Sequence, residues 1–111
     1  MRVPPPQARP VELFVEDFTG PRARNCGRHG VSATVRDLQR VVTCAVEASA
    51  KNIAFSSIKQ DRGIEGPLAS GLMGRGDGVI YQFGYDAAPC GGPGCPPYFG
   101  FCAMCLAIGA R

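Results

Sequence analysis

Four cysteines, Cys90, Cys95, Cys102 and Cys105, fall in a segment that also carries Gly91-Gly92-Pro93-Gly94 and Pro96-Pro97. Glycine loses the most backbone entropy on ordering and proline removes an amide donor, so these residues cannot build a helix. A covalent or metallic cross-link is therefore expected to hold the last quarter of the chain.

Read as Cys90-x4-Cys95-x6-Cys102-x2-Cys105, the segment offers four thiolates, the number that tetrahedral zinc takes when its ligands sit on tight turns. This makes Cys90, Cys95, Cys102 and Cys105 the candidate metal ligands and zinc the candidate cofactor. Cys26 and Cys44 bring the total to six cysteines, an even number that suits disulfides equally well. A third outcome is buried free thiols, since cysteine packs as a small hydrophobe. A second metal set would join Cys26-x2-His29 to Cys102-x2-Cys105, although a lone histidine among arginines in a polar loop reads more simply as exposed.

Compartment bears on this choice. Met1 is followed by Arg2 and by Pro4, Pro5, Pro6 and Pro10, without the apolar run of an export signal or a bilayer span. Read literally the chain is cytoplasmic, where thiols or metal are favoured; if it is processed or exported, disulfides are.

A chain of 111 residues has room for one domain with one modest core. Its 45% hydrophobic and 19% charged content exclude a disordered chain and a membrane protein. The net charge of +3 is too mild to indicate nucleic acid. Charge is unevenly placed, with Glu12, Glu16 and Asp17 followed by Arg22, Arg24, Arg28, Arg36 and Arg40. Such a basic flank can meet phosphate or an acidic partner, but is more often simply solvated.

Residues 1 to 10 read as an extended proline-rich arm, and residues 11 to 111 as a single small domain whose cysteine-rich tail covers 86 to 111. Val11, Phe14, Val15 and Phe18 recur at helical spacing with Gly20 just beyond, while the β-branched and aromatic content also allows a strand. Arg22 to Gly30 reads as a polar loop. Ala33 to Ala50 is the clearest helix, capped by Thr34 or Ser32. Its apolar stripe is Val35, Leu38, Val42, Ala45, Val46 and Ser49, opposite Arg36, Arg40 and Glu47, with Cys44 at the border. Asn52 ends it.

Beyond Asn52 the period changes. Ile53 to Lys59, Leu68 to Met73 and Val79 to Tyr85 read as strands, and Gly74-Arg75-Gly76-Asp77-Gly78 supplies the positive φ of a hairpin turn between the last two. The fold class expected is α+β, with one long helix packed on a three- to four-stranded antiparallel sheet and a Cys/Pro/Gly-rich C-terminal tail closing over an edge.

Few residues point to a reaction. Cys26, near Arg24, Arg28 and His29, is the one candidate thiol nucleophile, but no orienting group for a base accompanies it. Cys102-Ala103-Met104-Cys105 has redox spacing without room for the long helix that follows a redox pair. Arg75-Gly76-Asp77 spells the tripeptide integrins read, though glycine and aspartate belong in this turn anyway. Glu65, Asp77 and Asp86 flank strand ends, and the glycines of 63 to 78 lack the lysine and following helix of a phosphate loop.

Function is accordingly expected to be a small non-catalytic binding or interaction module with a structural cysteine cluster and a protein partner, for which Tyr98, Phe99 and Phe101 are candidate docking aromatics. The alternatives are a zinc-stabilised regulatory domain meeting an acidic or phosphate partner, an exported disulfide-bonded effector or inhibitor, and a small thiol enzyme using Cys26.

Overall fold

The computed structural model describes residues 8–61, 68–90 and 95–103. Seven elements occur in the order α1 (Ala8–Thr19), β1 (Arg24–His29), α2 (Val35–Ala50), β2 (Ala54–Asp61), β3 (Leu68–Arg75), β4 (Tyr81–Asp86) and β5 (Tyr98–Ala103). The class is α+β, as the sequence implies, but the expected architecture is corrected in detail. Two helices flank a five-stranded mixed sheet in the order β1-β2-β3-β4-β5.

The ambiguity over Val11 to Phe18 resolves to helix. Val11 and Val15 are fully buried while Phe14 and Phe18 pack around them, a single helical stripe that a strand would split between two faces. Gly20, at φ 93°, ends α1 by donating its amide to the Glu16 carbonyl.

The segment expected as a polar loop holds β1, which pairs parallel with β2. Its sequence, Arg-Asn-Cys-Gly-Arg-His, has little strand propensity, and Cys26 is its sole buried residue. Pairing and that one anchor override local preference. Register slips between Asn25 and Gly27, so Cys26 is the extra residue of a bulge. Parallel strands need a crossover, and α2 provides it.

From β2 onward the sheet is an antiparallel meander. The hairpin between β3 and β4 forms as expected, with Gly76 and Gly78 at φ 91° and 82°. The tail contains a regular strand: β5 pairs with β4, placing Phe99 opposite Tyr85 and Phe101 opposite Phe83. Alternation along β5 turns Phe99 and Phe101 toward α1, where Phe99 stacks on Phe14 at 5.0 Å and Phe101 meets Phe18 at 4.7 Å.

The helices lie on opposite faces of the sheet. Adjacent β3 residues separate between them, Met73 joining Val11 and Val15 of α1 and Leu72 joining Ala45 and Ala48 of α2. Ile58, Ala69, Phe83 and Tyr85 complete the α1 side, while Phe55 and Cys26 complete the α2 side. Helix α2 packs on β1, β2 and β3. On the same side of β5, Tyr98 and Cys102 are exposed.

Candidate functional site

Helix α2 departs from the pattern its sequence implies. Thr34 caps it through a reciprocal pair, its hydroxyl accepting from the Asp37 amide while its own amide donates to the Asp37 carboxylate. Asn52, at φ 55°, follows its C-terminus. The residues buried against the sheet are Val41, Ala45 and Ala48, flanked by half-buried Cys44. Of the expected stripe, only Ala45 is buried. Val35, Leu38, Val42 and Val46 are 72%, 37%, 50% and 53% exposed.

Small side chains explain the difference: Ala45 and Ala48 let the helix approach the sheet closely, and the larger aliphatic residues are rotated to the side and outward. The result is an apolar strip on a folded surface. Leu38, Val42 and Val46 form a ridge at i, i+4 spacing, and Val35, Leu38, Gln39, Val42 and Thr43 line a shallow depression over it.

Beside this strip runs a groove of about 340 Å³. Leu38, Val41 and Val42 make its wall, and Ser57, Leu72 and Gln82 contribute to its floor. The sheet is locally irregular here. The Ser57 hydroxyl accepts from the Leu72 amide and donates to the Leu72 carbonyl, and a Cβ at Gly71 would strike the Ser57 carbonyl and the Phe83 ring. Only glycine lets Phe83 cross this point.

One end of the groove is polar. His29, Lys59 and Ser70 stand in cross-strand register, and Asp61 pairs with the Lys59 ammonium while accepting from the Ser70 hydroxyl at 3.1 Å. Lys59 is thus neutralised locally. The groove presents an apolar wall and a polar floor rather than a bare charge, the usual mixture of a binding site.

The cysteines are cross-linked where they are described. Cys26 is joined to Cys44 across the β1–α2 interface, with Cα atoms 5.5 Å apart, and Cys90 is joined to Cys95. Cys102 is also disulfide-bonded. Cys105 lies outside the described residues, so the four sulfurs expected to bind zinc are not all in view; zinc would require their reduced form. Among the described residues, no group of three or more His, Cys, Asp or Glu is arranged to hold a metal. Cys26, buried and oxidised, presents no thiolate, and His29 instead borders the groove.

The basic segment is divided. Arg28 donates to both Glu12 oxygens and to the Ser56 hydroxyl and carbonyl, clasping α1 to the sheet edge. Arg24 lies 4.0 Å from Glu47. Arg36 and Arg40 remain exposed on the outer face of α2.

At the hairpin tip, Arg75 and Asp77 bond to one another at 3.3 Å, and Arg75 also donates to the Tyr81 hydroxyl and lies over the Phe18 ring. The Val79 amide, donating to Asp77, holds that carboxylate below its usual range, and the Tyr81 hydrogen bond raises the Arg75 guanidinium. Both side chains serve the turn. Asp86 likewise accepts from the Ala88 amide, whereas Glu65 lies outside the described residues.

Of the docking aromatics, Phe99 is packed into the α1 side, Phe101 is half-exposed against Phe18 and Tyr81, and Tyr98 is exposed on the α2 side. No helix among the described residues is long and apolar enough to cross a membrane. Comparison with protein families, with curated proteins and with solved structures finds no match to this chain.

Proposed function

We propose that this disulfide-stapled α+β domain is a non-catalytic protein-binding module, and that its contact surface is the outward apolar face of α2 with the groove beside it. The observation that carries this reading is the exposure of Val35, Leu38, Val42 and Val46 on one side of a helix whose buried side is Val41, Ala45 and Ala48. A contiguous apolar surface bordering a groove marks a contact site in a folded domain. The adjoining groove suits apolar side chains of a helical segment laid alongside α2, with Ser57, Ser70 and Gln82 available to its polar atoms.

Selection of displayed peptides against the folded protein tests this. Binders carrying apolar residues at helical spacing, weakened tenfold or more by Val42→Asp, are expected. Absence of any enriched binder, or binders indifferent to that substitution, would refute the reading.

A further inference from the structure

We infer that the sheet face beside α2 carries a second site, centred on Gly84 and separate from the docking face of the helix, that binds one neutral sugar ring.

A glycine inside a strand weakens it and marks a place where another group comes close to the backbone. In β3 and β5 the fold itself supplies that group. A Cβ at Gly71 would strike the Ser57 carbonyl and the Phe83 ring, one at Gly74 the Phe55 ring, and one at Gly100 the Tyr98 hydroxyl. Gly84 in β4 differs. Its φ is not positive, and a Cβ there would meet nothing within 4 Å among the described residues. Neither crowding nor backbone conformation calls for glycine at this point, and the space above it is left for a ligand.

Strand pairing surrounds that space with polar groups. Gly84 stands opposite Ser70 of β3 and Gly100 of β5, with Gln82 and Asp86 two residues to either side on the same face. Neighbouring strands lie about 5 Å apart, so the backbones of Ser70 and Gly100 bound a notch about 10 Å wide, room for a single ring. Tyr98 lies along β5 with its hydroxyl over Gly100 and borders the notch on that side. Ser70 and Gln82 also line the groove of about 340 Å³, into which the notch opens.

These groups define the ligand. The Ser70 hydroxyl donates to Asp61 and keeps its lone pairs, while Asp86 takes the Ala88 amide on one carboxylate oxygen and has the other to accept. Gln82 and the Tyr98 hydroxyl can each donate and accept. Lys59 is paired with Asp61, so Asp86 leaves the rim without positive excess and a phosphate or carboxylate gains nothing there. Sugar hydroxyls both donate and accept, which matches this mixed set, and the exposed Tyr98 ring supplies apolar surface for the C–H groups of a pyranose.

Backbone amide shifts of the full oxidised chain, titrated separately with the methyl glycosides of glucose, galactose, mannose and N-acetylglucosamine, test the proposal. At least one is expected to bind with a dissociation constant on the order of millimolar, shifting Ser70, Gln82 and Gly84. Gly84→Leu, which the free space and ordinary φ accommodate, and Asp86→Asn should each weaken binding by about tenfold or more, with the unliganded spectrum still that of a folded chain. Val42→Asp should leave sugar binding unchanged, so failure of this site and failure of the α2 docking face are distinguishable. Three results would overturn the inference: no shift with any of the four at tens of millimolar, shifts indifferent to both Gly84→Leu and Asp86→Asn, or occupation of the notch by methylammonium or inorganic phosphate and by none of the sugars.

Discussion

Cys26 in β1 and Cys44 in α2 are joined across the helix–sheet interface, eighteen residues apart in sequence, with Ala45, Ala48 and Phe55 packed around them. The bond pins the least strand-like element of the sheet to the helix that crosses over it. Closing a loop of this length lowers the entropy of the unfolded chain by an amount worth about 3 kcal/mol. The paired substitution Cys26→Ser, Cys44→Ser should lower the unfolding free energy by about that much in chemical denaturation. A loss near zero would mean that β1 is held by its backbone pairing alone.

Cross-linked sulfurs also make a prediction about mass and metal. The unreduced protein should weigh less than the reduced protein by a pair of hydrogens for each bridge, and should carry no stoichiometric zinc. Metal released by a chelator with loss of fold would instead favour the four-thiolate set of Cys90, Cys95, Cys102 and Cys105.

Arg28 ties three parts of the chain together through Glu12 of α1, the Asn25 side chain and Ser56 of β2. Its side chain is one-third exposed and the Glu12 side chain about half, so solvent weakens the ion pair. Arg28→Ala should cost about 1 kcal/mol, and Arg28→Lys should recover little of it, because a single ammonium cannot span the fork of contacts. Full recovery by lysine would show that charge alone matters at this edge.

The capping pair at the start of α2 sets a pH dependence. The Thr34 amide, and then its hydroxyl, hold the Asp37 carboxyl below its ordinary value. A carboxyl whose folded pKa is depressed contributes stability above its unfolded pKa and loses it as pH falls through the folded one. The stability difference between the natural chain and Asp37→Asn should therefore be present at neutral pH and vanish in acid. Thr34→Ala should cost about 1 kcal/mol at neutral pH. A difference that persists unchanged into acid would contradict the role given to the carboxylate.

Local signals made α2, its cap, β2, β3 and β4 and the glycine hairpin readable in the sequence alone. Periodicity, capping hydroxyls and positive-φ glycines each act over a few residues. β1 was hidden because its strand state comes from pairing with β2, and Arg24 to His29 carries no alternation that would announce it. β5 was hidden behind Gly91 to Pro97, although alternating Phe99 and Phe101 did mark one side of a strand. Most instructive is α2. Its expected stripe ran through Val35, Leu38, Val42 and Val46, yet Val41, Ala45 and Ala48 make the buried contact and leave those four outside. The cysteine cluster drew attention to the tail, whereas the candidate docking face appears only when the helix is set on its sheet.

Val42 separates the two roles an apolar helical residue can have. Unfolding of Val42→Asp should give a free energy within about 0.5 kcal/mol of the natural protein, as for other surface substitutions. Affinity for helical apolar peptides should meanwhile fall tenfold or more. A loss of several kcal/mol with binding unchanged would place Val42 in the core and contradict the docking face.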